Sequence, residues 1–297
     1  MNKELMDMLA YKRPAGSKTE SMFISAYLDT IPGMLKDQAG NRIIKVGPDP
    51  DIMFSCHTDT VHSEAGFTMP QSHKGIVSAN GEILGADDCA GVWLMRKMIF
   101  AGKPGLYIFH RGEEIGGIGS RHIAANNKKL LGGIRAAIAL DRMGDKDIIT
   151  HMGERTCSLR FAESLASGLG IKTLKPCSGG VFTDTYNYVG IVPECSNISV
   201  GYARAHSKHE SLDTGYLDKL LDALLNLEPG KLETPGFEPD PVYAACKSWD
   251  TYRFDNNSPD RSGFEADSTL IDFIRQHPEK AAQMIIDYGL EDDIYSY

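Results

Sequence analysis

The sequence predicts an α/β fold: a three-layer sandwich with a mostly parallel mixed sheet between helices, and a small helical appendage at the C-terminal end. Two observations predict it. Short apolar runs rich in β-branched and aromatic residues alternate with longer segments of helical period, the pattern of a sheet covered on both faces. Several of those runs stop abruptly at acidic residues or histidine, and open α/β sheets bind their ligands at strand carboxyl ends. The composition allows such a fold. With 297 residues, 42% hydrophobic and 24% charged, the chain can bury a full core without crosslinks.

The elements follow in order. Residues 2–10 read as an amphipathic helix with Leu5, Met6 and Leu9 on one side. A turn at Arg13–Ser17 precedes a second helix through about Leu28, with Ser17 and Glu20 as a capping box. Strands are expected at 41–46 and 51–56, and a hairpin over 73–84 turning at Asn80-Gly81. A helix runs from Asp88, its cap, to about Phe100. Leu106-Tyr107-Ile108-Phe109 is a buried strand that reaches Glu113-Glu114 and turns through glycines into a helix over 120–131. Strand 133–140 ends at Asp141; a short strand at 147–150, a helix at 158–169 and a strand at 171–174 follow. A glycine-led loop spans 178–186, and a strand at 198–201 runs into Ala205–Glu210. Asp213 or Thr214 caps a helix with Leu217, Leu220, Leu221, Leu224 and Leu225 on one face. Pro229-Gly230 ends it, so the first domain is expected at 1–230. The remainder, 231–297, reads as a linker rich in Pro, Gly, Asp and Asn, then short helices at 268–277 and 278–289.

The charge balance excludes some functions. A net charge of −9, with no run of five basic residues, argues against nucleic-acid binding. No stretch approaches the roughly 18 apolar residues of a membrane helix. The first residues lack the apolar core of a signal peptide. The six cysteines are scattered without a CxxC, which suits free thiols in a reducing compartment. A cytoplasmic location is expected.

Histidine and acids converge on the strand ends. His57 closes one strand, with Asp59 two residues on, a pair that suits a ligand imidazole and an orienting carboxylate. Asp87, Glu113-Glu114 and Asp141 follow later strands, and His206 a fifth. If one crevice gathers them, two like charges about 4 Å apart repel by roughly 4 kcal/mol at an effective dielectric of 20. Such a cluster must take up protons or cations. Imidazoles beside the acids favour zinc, cobalt or manganese over calcium or magnesium.

Five segments, in this order, resemble the co-catalytic zinc exopeptidases, the superfamily of dizinc aminopeptidases, carboxypeptidases and N-acyl-amino-acid deacylases. They are Cys56-His57-Thr58-Asp59-Thr60-Val61, Leu84-Gly85-Ala86-Asp87-Asp88, Gly112-Glu113-Glu114-Ile115-Gly116, Leu140-Asp141 and Ala205-His206-Ser207-Lys208-His209-Glu210. The resemblance implies two divalent ions, zinc foremost, with His57 and Asp141 on one, Glu114 and His206 on the other, and Asp87 between them. It implies that Asp59 orients His57 and that a cis peptide follows Asp87. It implies Glu113 as general base, taking a proton from a water between the ions and passing it to the leaving amine. His62 and His209 read as rim or supporting residues, and Cys56 and Cys89 as buried fillers.

The carboxypeptidase and deacylase branch of that superfamily inserts a lid between the third acid and the last histidine. Only 65 positions separate Asp141 from His206, and core elements use them. The chain thus resembles a lidless form, which favours an aminopeptidase acting on short peptides. The wording of His57–Val61 is nearer the lidded branch, which keeps an N-acyl-amino-acid deacylase or carboxypeptidase as the alternative. A non-catalytic binding or scaffold protein on the same fold is the third reading. Arg111, Arg155 and Arg204 are candidates for clamping a substrate carboxylate. On the glycine-led loop, Asp184 is a candidate for receiving a free α-amine and Tyr186 for stabilising the oxyanion.

Overall fold

Strands with two buried faces need apolar residues at successive positions, and the segments around residues 52–57, 105–110 and 136–142 supply them. The computed structural model describes residues 3–237 and Pro278; apart from Pro278, the helices expected at 268–277 and 278–289 lie outside the described residues. Residues 3–237 belong to one unit, Met1–Glu238.

The main sheet has eight strands: β1 (Leu35–Lys36), β2 (Arg42–Val46), β3 (Ile52–His57), β4 (Gly105–His110), β5 (Ala136–Arg142), β6 (Asp147–Ile149), β7 (Lys175–Cys177) and β8 (Glu194–Ser199). Their spatial order is β7-β6-β8-β5-β3-β4-β2-β1. The four central strands β8, β5, β3 and β4 are mutually parallel, and the flanking pairs β6–β8, β4–β2 and β2–β1 are antiparallel. Alternate residues face opposite layers. Ile52, Phe54, Tyr107, Phe109, Ala136 and Ile138 join one apolar cluster with helices α1 (Lys3–Leu9), α3 (Ala86–Phe100), α5 (Leu159–Leu169) and α6 (Thr214–Asn226). Met53, Leu106, Ile108 and Ala137 join the other, with Ile123 of α4 (Ile118–Asn126) and Tyr188. The three-layer arrangement is the expected one.

Helix starts follow the local chemistry. Ser17 Oγ accepts from Glu20 N–H at the head of α2 (Lys18–Tyr27), Ser158 Oγ from Phe161 N–H on α5, and Asp213 from Gly215 and Tyr216 N–H on α6. In α3, apolar residues surround the axis, so the helix lies inside up to its last turn, where Phe100 is exposed.

Four expectations shift. The hairpin pairs Gln71–His73 with Ile76–Ser78 and turns at Lys74-Gly75, both at positive φ. Asn80-Gly81 does turn the chain, closed by Glu82 N–H to Ala79 O, but no strand follows. The N–H groups of Leu84 and Gly85 go instead to the Glu210 carboxylate. Ile171 and Leu174 are buried ends of a turn, and the strand begins at Lys175. The strand expected at 198–201 occupies Glu194–Ser199, whose polar residues hid it. Each is buried and satisfied: Ser196 Oγ donates to Ile149 O, and Ser199 Oγ to Met143 O. The helix expected at 120–131 is α4 followed by a 3₁₀ turn at Lys128–Leu131.

Candidate metal centre

The parallel strands β3, β4 and β5 end side by side and bring His57, Glu113-Glu114 and Asp141 together, while Asp87 comes from the head of α3 and His206 from the segment after Tyr202–Ala203. His57 is the last residue of β3 and is 1% exposed. Its Nε2 lies 3.0 Å from Asp87 Oδ1 and 3.5 Å from Asp141 Oδ1. Asp87 turns its other oxygen, Oδ2, to His206 Nε2 at 3.2 Å, and that nitrogen is also 3.2 Å from Glu114 Oε1. Each oxygen of one carboxylate thus faces a different imidazole. Donor atoms gather in three groups, each within 4.8 Å: His57, Asp88 and Asp141; His57, Glu113 and Glu114; Asp87, Glu114 and His206. The residues expected to meet do meet.

The donor set fits divalent ions. Bonds of roughly 2.0–2.2 Å in a tetrahedral shell put neighbouring ligand atoms roughly 3.3–3.6 Å apart, close to the spacings between these imidazole and carboxylate atoms. Imidazole with carboxylate, without thiolate, suits zinc, cobalt or manganese. Cys56 and Cys89 are fully buried fillers, their thiol pKa values pushed up by burial.

Protons hold the charges otherwise. Burial, then neighbouring charges, raises Glu113 well above the carboxylate range, and raises Glu114 and Asp141 as well. Asp87 is the exception: burial opposes ionisation, but hydrogen bonds from His206 and His57 outweigh it and pull its pKa down. His206, opposed by burial but drawn by Asp87 and Glu114, is raised to about 11.

A second ring of contacts fixes the cluster. The peptide between Asp87 and Asp88 is cis, as the resemblance implied. Asp88 accepts from the N–H groups of His57 at 3.3 Å and Gly91 at 2.8 Å. Asp141 is held by Thr183 Oγ1, which donates to Oδ2 at 2.6 Å, and by Tyr202 OH, 3.3 Å from Oδ1. Asp59 does more than orient His57. Its carboxylate lies 3.5 Å from His57 Nδ1, while its own carbonyl oxygen is nearer, at 3.1 Å. The carboxylate chiefly accepts from Gly112 and Glu113 N–H on one oxygen, and from Glu114 N–H on the other, at 3.0–3.2 Å. It holds the loop that carries both glutamates.

Other placements depart from expectation. Asp184 is 1% exposed; Ser120 Oγ donates to Oδ1 at 2.5 Å, and His110 Nδ1 lies 3.3 Å from Oδ2. A carboxylate so enclosed does not reach a substrate amine. Tyr186 OH donates to Glu154 at 3.2 Å. Arg111 is not a clamp: it pairs with buried Glu20, Nε at 2.6 Å from Oε1 and Nη2 at 2.8 Å from Oε2. Arg155 and Arg204 are exposed. His62 is buried between Thr60 and Ile83, and burial lowers its pKa to about 4. The sequence reading missed the part that three residues play near the site. Buried Arg13 donates to Thr58 O and Gly85 O, Glu20 accepts from Thr58 Oγ1, and Glu210 accepts from three backbone groups. Charged residues in polar stretches carry no sequence signal that separates these buried bonds from ordinary solvation.

No protein-family model matches the chain, and no curated protein does. Solved structures do. Aminopeptidase PepT from Bacillus cereus superposes with a TM-score of 0.60 at 16% identity, covering 75% of this chain and 96% of its own. A tripeptidase from Staphylococcus aureus gives 0.61 at 15%, covering 75% and 95%. An aminopeptidase from the archaeon Desulfurococcus kamchatkensis gives 0.58 at 13%, covering 76% and 94%. The fold is the one these peptidases share.

Proposed function

We propose that the chain is a metal-dependent aminopeptidase acting on short peptides. One observation carries the reading: Asp87 presents one oxygen to His57 and the other to His206, the arrangement of a carboxylate shared by two cations. His57, Asp87 and Asp141 would hold one divalent ion, and Asp87, Glu114 and His206 the other. When bound, such ions supply Lewis acidity and make water a competent nucleophile near neutral pH.

The chain's own residues do the rest. Glu113 takes the proton of the attacking water as its oxygen adds to the scissile carbonyl carbon. As the carbon–nitrogen bond breaks, Glu113 returns that proton to the leaving amine. Asp59 keeps Glu113 in reach through its hold on the loop backbone. Asp184 stays behind the cluster and orders His110. Tyr186, on the glycine-led loop, is the residue we assign to the developing oxyanion, for which it gives up Glu154. The engagement of Arg111 with Glu20 favours a free amino terminus over a substrate carboxylate as the recognised end. Metal analysis of the purified protein, beside a panel of unblocked and N-acetylated peptides, tests the reading. Two equivalents of a divalent ion and chelator-sensitive release of amino-terminal residues are expected. Activity confined to the blocked set would transfer the assignment to deacylation, and absence of metal would end it.

A further inference from the structure

Two buried carboxylates brace this site in the same way. Asp59, two residues after His57, accepts three backbone N–H groups of the loop that carries Glu113 and Glu114. Glu210, four residues after His206, does the same for the loop that carries Asp87. Its Oε2 accepts from Leu84 N–H at 2.9 Å and Gly85 N–H at 2.7 Å, and its Oε1 from Asp87 N–H at 3.0 Å. Glu210 is 1% exposed. Charge-assisted bonds of this kind are short and about twice as strong as neutral ones. Each histidine segment therefore sends an acid across to fix the backbone of another ligand loop.

We infer that Glu210 is a positioning residue: it sets Asp87 against His206, so that the shared carboxylate and the last imidazole arrive as one unit. The bond to Asp87 N–H acts one residue's backbone away from the oxygens that face His57 and His206. The bonds to Leu84 and Gly85 fix the entry to that residue. His206 itself sits at φ 64, a backbone region unfavourable to side chains with a Cβ. The same short segment closes on itself through Glu210 N–H to Ser207 O at 3.0 Å, so the anchor at Glu210 also bears on the histidine.

This inference rests on the metal reading of the site, and its test separates the two. The full chain is stripped of metal, and the affinity for Zn²⁺ and Co²⁺ is measured by titration for the wild type, Glu210→Ala, Glu210→Gln and Glu210→Asp. Thermal midpoints are recorded for each. Glu194→Ala is the control: Glu194 is an equally buried clamp on Ser158 and Gly236, at the opposite end of the parallel strands. The second ion should bind 10–100-fold more weakly in Glu210→Ala, the usual effect of losing a partner behind a ligand. Glu210→Gln keeps size and one accepting oxygen and should fall between, with kcat reduced more than KM is raised. Glu194→Ala should lower the midpoint and leave the affinity as it is. If Glu210→Ala does not fold, Glu210→Gln carries the comparison. Wild-type affinity in the Glu210 variants, or a loss that merely follows the midpoint as in Glu194→Ala, overturns the positioning role and leaves the metal reading standing. A wild type that binds no ion removes both.

Discussion

Stripping the ions should make the stability of the protein fall as pH rises above 6.5, and reloading them should abolish that slope. Without cations, Asp184 keeps its proton up to about 8 and His206 up to about 11 in the folded state. Unfolded, they lose their protons near 3.8 and 6.5. Both folded values are raised, so the folded state binds more protons, and stability is lost with increasing pH. Glu113, Glu114, Asp141 and His57 are shifted in the same direction. Buried His62 and His110 are shifted the other way, to about 4 and about 3, but that contribution is lost only as pH falls below their unfolded value of 6.5. Asp87 is lowered and acts only below 3.8. The interval from 6.5 to 8 thus isolates the site. Each extra proton is worth about 1.4 kcal/mol per pH unit, so Asp184 and His206 together give roughly 2–3 kcal/mol across the interval. At a urea dependence of about 3 kcal/mol per molar, the midpoint should drop by roughly 1 M. Urea unfolding of chelated and reloaded protein at four pH values makes the measurement. A chelated protein whose midpoint is level or rises from 6.5 to 8 would refute the reasoning.

Three substitutions probe other parts of the argument. Glu113→Gln should bind metal as the wild type does and lose at least about 100-fold in kcat, since proton transfer by a placed side chain is worth that much; unchanged turnover would remove Glu113 as the base. Asp59→Asn keeps one oxygen for Gly112 and Glu113 but turns an amide against Glu114 N–H. Losing one charge-assisted bond, about 1–3 kcal/mol, should cost roughly 10–100-fold in kcat/KM, and a wild-type value would count against the brace. At Gly91 a Cβ would lie 2.2 Å from Leu140 O and 2.6 Å from the Asp88 oxygens. Gly91→Ala should therefore destabilise by about 3 kcal/mol or more despite the roughly 1 kcal/mol gain in helix propensity. A more stable variant in urea would show that the packing there yields.

The parts of the sequence that revealed most were those where one residue has one physical reason to be there. Ser17, Ser158 and Asp213 stand before helices because only a short polar side chain caps them, and each does. His57, Glu113, Glu114 and Asp141 stood out because each follows an apolar run that the parallel strands bring together, and Asp87 and His206 because they come in order between and after them; α3 and the segment after Tyr202–Ala203 carry those two to the same place. What stayed hidden shares a cause. Glu210, Arg13 and Glu20 are charged residues in polar stretches, and their burial depends on partners 38–126 positions away in the chain. Strand β8 was misplaced because Glu194, Ser196, Asn197 and Ser199 look solvated but are satisfied inside. The hairpin slipped for the same reason: Leu84 and Gly85 give their N–H groups to a distant side chain, not to a ladder.

The parallel order of the central strands has a last consequence. Neighbours in space at the site are far apart along the chain, so the donors for either proposed cation span long stretches of it, from His57 to Asp141 for one and from Asp87 to His206 for the other. A protease nick or a truncation that removed the segment from Tyr202 to Glu210 would leave Asp87 with half its partners and its loop untethered. Occupancy by metal would then report on the integrity of the whole sheet at once, and cations in the surrounding medium would hold the assembled chain together by mass action.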